Sequence, residues 1–295
     1  MRTCCTVCNG SSRISVCIPA YRAELFLAET LQSALHQDLM PFEVLISDDA
    51  STDGTAHVIN AWVARSPLLK TFRQSIRLGW VGNTNFLLAR ASGDFVVILP
   101  HDDVLEPEYL RSLYEGLTSN ANAVLAFSDI RDFGDCYAPC RWGALPLAGS
   151  QLLRLIRCMM TPNQSLPHRG LLRADIARKV GGLPSSRFGS CGAEVAFLWK
   201  VAAFGETVRL PFLFYHKRRF DSLRLPPSLH ERIVNRLAAW SMQWSAIGAN
   251  TVAPGNRIIL RVIMILISPI TLLTPGRLVK VWARLLGLRA DLGKD

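Results

Sequence analysis

The chain has 295 residues, 49% hydrophobic and 19% charged, which is enough apolar material for a sizeable core and excludes an intrinsically disordered chain. The net charge of +10 is uneven: residues 1–208 carry 19 basic and 19 acidic side chains, and residues 209–295 carry 14 and 4. A neutral main body argues against a nucleic-acid-binding core, and the basic C-terminal part suits either an anionic membrane surface or a merely solvated tail.

Residues 1–12 read as an irregular lead-in. They hold Cys4, Cys5 and Cys8, three of eight cysteines, with no second Cys or His pair at zinc-finger spacing. No apolar leader stands ahead of them, so disulfides are not expected and the protein is expected in the cytoplasm. Ile14–Ile18 is a candidate strand, and Leu27, Leu31, Ala34 and Leu35 recur at helical spacing. Glu43–Ser47 reads as a strand and Gly54–Arg65 as a helix, with Ser51, Thr52 and Asp53 around its N-cap. Leu69–Gln74 is a further strand, Thr84–Ala91 a helix, Phe95–Leu99 a buried strand, Pro107–Leu117 a helix and Ala123–Phe127 a strand. Residues 132–165 break this rhythm and read as connecting structure. Arg173–Val180 and Glu194–Ala203 look helical, and 208–214 looks like a last strand. The alternation predicts an α/β, Rossmann-like domain over 13–225, with a mixed, mainly parallel sheet flanked by helices and a C-terminal helical tail over 226–295. Its two halves divide near residue 130.

In a parallel sheet, ligands bind beyond the C-terminal strand ends. Asp48 and Asp49 follow the second strand, and Asp102 and Asp103 follow the Phe95–Leu99 strand, so both pairs fall on one edge. Adjacent carboxylates there repel unless a cation is bound, and Mg²⁺ or Mn²⁺ suits oxygen ligands supplemented by phosphates. Pro19, Tyr21 and Glu24 follow the first strand into the same crevice, where a Tyr face and a carboxylate suit a nucleobase. Asp48 reads best as a turn acid. For Asp102 and Asp103 the plainer alternative is an N-cap role before the Pro107 helix.

The runs Ile14-Ser-Val-Cys-Ile-Pro-Ala-Tyr21, Ser47-Asp-Asp-Ala-Ser-Thr-Asp-Gly-Thr55, Leu78-Gly-Trp-Val-Gly-Asn-Thr-Asn85 and Gly93-Asp-Phe-Val-Val-Ile-Leu-Pro-His-Asp-Asp103, in that order, resemble family 2 glycosyltransferases of the GT-A fold, especially bacterial members that build surface polysaccharides. The resemblance spans roughly residues 13–222. It implies that Asp49 binds the base N–H with Tyr21 and Pro19 beside the ring. Glu24 then helps hold the nucleoside, and Arg77 and Asn83 lie in the loop closing over base or ribose. Asp102 and Asp103 meet metal and diphosphate, Asp102 also counting among the nucleotide contacts. Many members have an Asp where this chain has Pro100, which puts the ribose contact in question.

Inverting sugar transfer needs a carboxylate beside the acceptor hydroxyl. Glu194, the only acid between Asp175 and Glu206, sits where the family carries its catalytic Asp or Glu. The alternative is an acid favoured by the helix dipole. Tyr215-His-Lys-Arg-Arg219 resembles the segment that supplies positive charge, so Lys217, Arg218 and Arg219 are expected to stabilise the diphosphate. His216 is either a metal ligand or a plain surface His, and His168 and Arg169 could line the acceptor side. In the tail, Arg277, Lys280 and Arg284 oppose Leu278, Trp282, Leu285 and Leu286 on one predicted helix, the pattern of an interfacial helix or of a tail packed on its own domain. The expected function is transfer of a sugar from UDP or dTDP to a glycan or lipid-linked acceptor, at the inner face of the plasma membrane. A non-catalytic nucleotide-binding or assembly protein of the same fold is the alternative.

Overall fold

The computed structural model describes residues 13–135, 140–160, 166–220, 228–248 and 251–273. The first half is a regular α/β alternation: β1 (Ile14–Ala20), α1 (Leu27–Leu35), β2 (Glu43–Asp48), α2 (Thr55–Val63), β3 (Leu69–Arg73), α3 (Gly79–Leu88) and β4 (Phe95–Ile98). A two-residue β5 (Val104–Leu105), α4 (Tyr109–Thr118) and a long β6 (Ala123–Asp135) follow. Then come β7 (Arg141–Trp142), α5 (Gln151–Met160), β8 (Leu171–Arg173), α6 (Ala174–Val180), α7 (Ala193–Phe204), β9 (Glu206–Phe220), α8 (Leu229–Gly248) and α9 (Pro254–Leu273).

The strands form one sheet in the order β3-β2-β1-β4-β8-β6-β9-β5, with β7 paired to β6. β1 to β4 are mutually parallel, and β8 is antiparallel to both β4 and β6. β9 runs parallel to β6, while β5 and β7 run against their neighbours. The strands β1, β2, β3, β4, β6 and β9 therefore share one direction and end on one edge. The chain order reverses across β1 and β4, which opens the crevice where ligands of such sheets sit.

Side-chain alternation assigns the layers. Ile14, Val16 and Ile18 of β1 pack with Leu27 and Leu31 of α1, Ile59 of α2 and Leu110 and Leu113 of α4. Cys17 and Leu45 face the other way, into a core with Leu87 of α3, Leu155 of α5, Ile176 of α6 and Trp199 of α7. Ala238, Met242 and Ile247 of α8 and Leu260 and Met264 of α9 are buried in that second core, so the first part of the tail packs on the domain. Two close approaches require glycine: a Cβ on Gly170 would lie 2.2 Å from the Ala126 carbonyl, and one on Gly93 2.6 Å from that of Arg13.

Two expectations are corrected. Residues 132–165 are not merely connecting structure, because they contain the end of β6, all of β7 and α5. Helix α5 is hidden in the sequence because Arg154 is buried, its guanidinium donating to the carbonyls of Ala202 and Gly149. The last strand is Glu206–Phe220 and not 208–214, since β6 supplies a parallel partner as far as Phe220. The tail segment 277–286 and Cys4, Cys5 and Cys8 lie outside the described residues.

Candidate active site

The β1 and β2 ends are set by two residues in the left-handed region, Arg22 at φ 49° and Ala50 at φ 56°. Neither is glycine, so each stores roughly 1 kcal/mol of strain. Hydrogen bonds hold them: the Arg22 N–H donates to Ser51 Oγ at 3.0 Å, and the Ser51 N–H donates to Asp48 Oδ1 at 3.0 Å. Asp48 is thus a turn acid, with Arg73 of β3 3.6 Å away. Pro19 lies within β1, its carbonyl 3.2 Å from His101 Nδ1, which pins the β4–β5 turn to the first strand. Tyr21 follows. The Arg77 guanidinium lies 4.0 Å from its ring centroid and that of Arg22 5.5 Å. Glu24 is exposed and accepts the Gly54 N–H at 2.9 Å.

Asp49 is buried, and its two oxygens accept the backbone N–H groups of Leu78 and Gly79 at 2.6 and 2.9 Å. It fastens the β3–α3 loop that carries Arg77, and it places a negative charge where α3 leaves its first N–H groups unpaired. That anchor starts the helix at Gly79, earlier than Thr84. Asn83 consequently lies in α3 and not in the loop: it is buried, and its amide donates to the Ser47 carbonyl at 2.9 Å.

The acidic pair splits. Asp103 is only 2% exposed. Its Oδ2 accepts from the Tyr215 hydroxyl at 2.6 Å and from Arg169 Nε at 3.3 Å, and its Oδ1 accepts the Arg218 N–H at 2.9 Å. Burial pushes the Asp103 carboxyl up, against the pull of Arg169 and with the Asp102 charge adding to the rise. Asp102 is half-buried, and no hydrogen bond or ion pair holds its carboxylate among the described residues. Neither acid caps α4, whose N-cap is Glu108.

The Tyr215–Arg219 segment lies within β9, so its side chains alternate between faces. Lys217 pairs across the ladder with Asp132 of β6, and His216 with Arg131. His216 therefore points away from Lys217; its Nε2 bonds Glu106 and its ring meets Phe133 edge-on. Arg218 donates to Glu29 and, through Nε, to the Asp102 carbonyl at 3.1 Å. Arg219 approaches Asp132 at 3.9 Å. Lys217 is half-buried beside Asp103, Arg169, Asp132 and Arg219, with no hydrogen bond to its ammonium group among the described residues. Burial and then the Arg169 charge lower its pKa.

Glu194 sits in the first turn of α7, after Gly192 at φ 84°. It is half-buried, with no hydrogen bond among the described residues. Helix α7 packs against the 3-10 turn Leu166–Arg169, the same turn that carries Arg169 to Asp103. His168 is buried in that turn, edge-on to Trp80.

Comparison with known proteins bears on exactly this edge. The family model for glycosyl transferase family 2 matches residues 15–145, which include both acidic pairs, Tyr21 and Arg77. Residues 15–145 of this chain, a little under half of it, are thus similar to a family 2 glycosyltransferase domain. Among curated relatives, abequosyltransferase RfbV of Salmonella typhimurium is 37% identical over 117 residues, covering 38% of this chain and 34% of its own. A GalNAc(5)-diNAcBac-PP-undecaprenol beta-1,3-glucosyltransferase of Campylobacter jejuni is 32% identical over 125 residues, 42% of this chain and 38% of its own. The matches thus span well under half the length of these relatives. Among solved structures, S. aureus TarS 1-349 in complex with UDP superimposes with a TM-score of 0.63 at 17% identity, over 84% of this chain and 69% of its own. Mannosyltransferase PcManGT of Pyrobaculum calidifontis, in complex with GDP-Man and Mn²⁺, does so at 0.57 and 18%, over 96% and 81%. These two likenesses show the GT-A fold.

No group of three or more His, Cys, Asp or Glu side chains able to hold a metal occurs among the described residues. The turn after β4 offers the accessible carboxylate of Asp102 beside that of Asp103, already committed to Tyr215, Arg169 and Arg218. That donor set fits a Mg²⁺ or Mn²⁺ shared with a ligand's phosphates and does not fit a closed protein cage. Sequence reading missed the roles of Tyr215, Arg169, Asp132 and Trp142, whose indole donates to Asp132 Oδ2 at 2.6 Å. Only the β6–β9 register brings Asp132 to Lys217, and nothing in the local sequence announces it.

Proposed function

We propose that this chain is an inverting glycosyltransferase that moves a sugar from UDP or dTDP to a hydroxyl of a glycan or lipid-linked acceptor in cell-envelope polysaccharide synthesis. One observation carries the reading: a family 2 domain whose accessible carboxylate, Asp102, stands at the β1–β4 crevice. Tyr21 and Arg77 form a stacked pair suited to a nucleobase, with Asp49 holding the loop that brings Arg77 there. Asp102, with the donor's phosphates, would hold a Mg²⁺ or Mn²⁺, which would supply neutralisation of the diphosphate charge. Lys217 is the cation best placed to add to it, since Arg218 and Arg219 already meet Glu29 and Asp132. Glu194 accepts the acceptor's hydroxyl proton as the new C–O bond forms at the anomeric carbon, and the bond from that carbon to the phosphate oxygen breaks on the opposite side.

The relatives' printed names, an undecaprenol diphosphate-linked glucosyltransferase among them, support a lipid-linked acceptor. The basic C-terminal part supports peripheral attachment to the inner face of the plasma membrane. No helix among the described residues is long and apolar enough to cross a membrane. Helix α9 presents Ile258, Ile259, Val262, Ile265 and Leu266 to solvent on one face, a surface suited to the headgroup boundary.

The test compares wild type with Glu194→Gln in a transfer assay using each of several nucleotide sugars. Retained donor binding with at least about a 10²-fold loss of turnover supports the base assignment. Near wild-type transfer moves the base elsewhere. A non-catalytic assembly protein, which Pro100 in place of the usual Asp favours, predicts donor binding with neither transfer nor slow hydrolysis in wild type.

A further inference from the structure

The turn that joins β4 to β5 places an imidazole in the β1–β4 crevice, and the ladder between these strands shows how. The Leu99 N–H donates to the Cys17 carbonyl at 2.9 Å. Carbonyls two residues apart on a strand point to the same side, so the Pro19 carbonyl also faces β4, and the next donor in register would be the His101 N–H. The chain turns away first. The fully buried Thr30 hydroxyl of α1 lies 2.8 and 2.9 Å from the carbonyls of His101 and Asp103 and pins that turn. The His101 side chain fills the missing rung instead, with Nδ1 3.2 Å from the Pro19 carbonyl. The half-buried ring therefore stands between the C-terminal ends of β1 and β4, one residue before Asp102.

A carbonyl only accepts, so Nδ1 carries the proton in that bond, and the neutral ring leaves Nε2 as an acceptor. No hydrogen bond holds Nε2 among the described residues, and Pro100 brings no polar side chain to this end of β4. Whatever part of a bound nucleotide meets Nε2 must therefore donate, which ionised phosphate oxygens cannot do. Tyr21, with Arg77 4.0 Å from its ring centroid, follows β1 and offers the surface for the base, while Asp102 faces the diphosphate. Between base and diphosphate lies the ribose, and its donors are its hydroxyls.

We propose that His101 reads the ribose of the donor: Nε2 accepts a hydroxyl of the ribose diol while Nδ1 stays bonded to Pro19. The proposal rests on the reading of the crevice as a nucleotide site, and the test separates the two. The full chain is titrated calorimetrically with UDP, 2′-deoxy-UDP and 3′-deoxy-UDP, each in Mn²⁺. In wild type at least one deoxy nucleotide is expected to bind about tenfold more weakly than UDP. His101→Asn keeps an amide donor in the place of Nδ1 and removes Nε2. It is expected to bind UDP about tenfold more weakly and the disfavoured deoxy nucleotide within about twofold of wild type, so that the preference disappears. Discrimination against 2′-deoxy-UDP would also select UDP over dTDP as the donor nucleotide. Wild type that binds all three within about twofold, or a preference that persists in His101→Asn, overturns the assignment and leaves the nucleotide reading standing. A loss shared equally by all three in the variant, as removal of a metal ligand would give, overturns it as well. Wild type that binds none of the three removes the UDP reading and the assignment with it.

Discussion

Replacing Asp103 with Asn should unfold the protein more readily, and its effect should differ in kind from that of the same change at Asp102. The Asp103 carboxylate is 2% exposed and receives three donors, the Tyr215 hydroxyl, Arg169 Nε and the Arg218 N–H, at 2.6, 3.3 and 2.9 Å. Asparagine keeps the volume but removes the charge and turns an –NH₂ toward a ring of donors. Arg169, only 14% exposed at its side chain, then keeps a buried charge without its carboxylate. Breaking a buried pair on one side costs about 3–5 kcal/mol, which for a domain of this size lowers the melting temperature by on the order of 10 °C. Asp102→Asn changes a half-exposed group with no side-chain hydrogen bond among the described residues, so its cost should stay within about 0.5 kcal/mol. Urea unfolding of the two variants beside wild type measures both. The reasoning fails if Asp103→Asn unfolds at the wild-type midpoint, or if Asp102→Asn is the less stable of the two.

Lys217→Arg should shift the alkaline limb of the transfer rate. A lowered lysine pKa means that the cation is present below that pKa and is lost as pH rises through it, earlier than for an ordinary lysine, whereas arginine keeps its charge; an unmoved limb in a rate-against-pH series would remove Lys217 from the chemistry. Glu43 is held at about 2 because bonds from Lys70, Ser15 and Ser92 outweigh the upward push of burial. A depressed folded pKa stabilises above the ordinary 4.5 and is lost as pH falls toward about 2, so Glu43→Gln should remove about 3 kcal/mol at neutral pH and flatten the acid limb of a stability curve. Gly170→Ala, with its Cβ forced to 2.2 Å from the Ala126 carbonyl, should cost several kcal/mol in a denaturant melt, about 3 or more. Charge placed on α9 as Val262→Glu and Ile265→Glu should release the protein from anionic vesicles in a sedimentation assay while sparing nucleotide affinity; retention of the double variant would rule out that face.

What could be read in advance was whatever depends on neighbours in sequence. The strands β1, β2 and β4 are apolar runs followed at once by polar residues, and that pattern alone puts Tyr21, Asp49 and Asp102 on one edge. What could not be read depends on partners far along the chain. Asp49 and Asn83 stand in the motifs as ligand contacts, and their bonds to the Leu78 and Gly79 N–H groups and to the Ser47 carbonyl come only with the fold. Asp102 and Asp103 look equivalent, and only Tyr215, 112 residues further on, distinguishes the anchor from the accessible acid. The end of β9 is hidden by its four charged or titratable side chains, which alternate between two faces and leave no apolar period. Three-residue β8 is too short to show any pattern.

The central claim, that Asp102 at the β1–β4 crevice meets a nucleotide diphosphate sugar, is tested most directly by calorimetric titration of a panel of UDP and dTDP sugars into wild type and Asp102→Asn, each with and without Mn²⁺. The account predicts that at least one donor binds wild type more tightly with Mn²⁺ and that Asp102→Asn, still folded, loses that gain. Binding of no donor by wild type, or an identical Mn²⁺ gain in the variant, would contradict it.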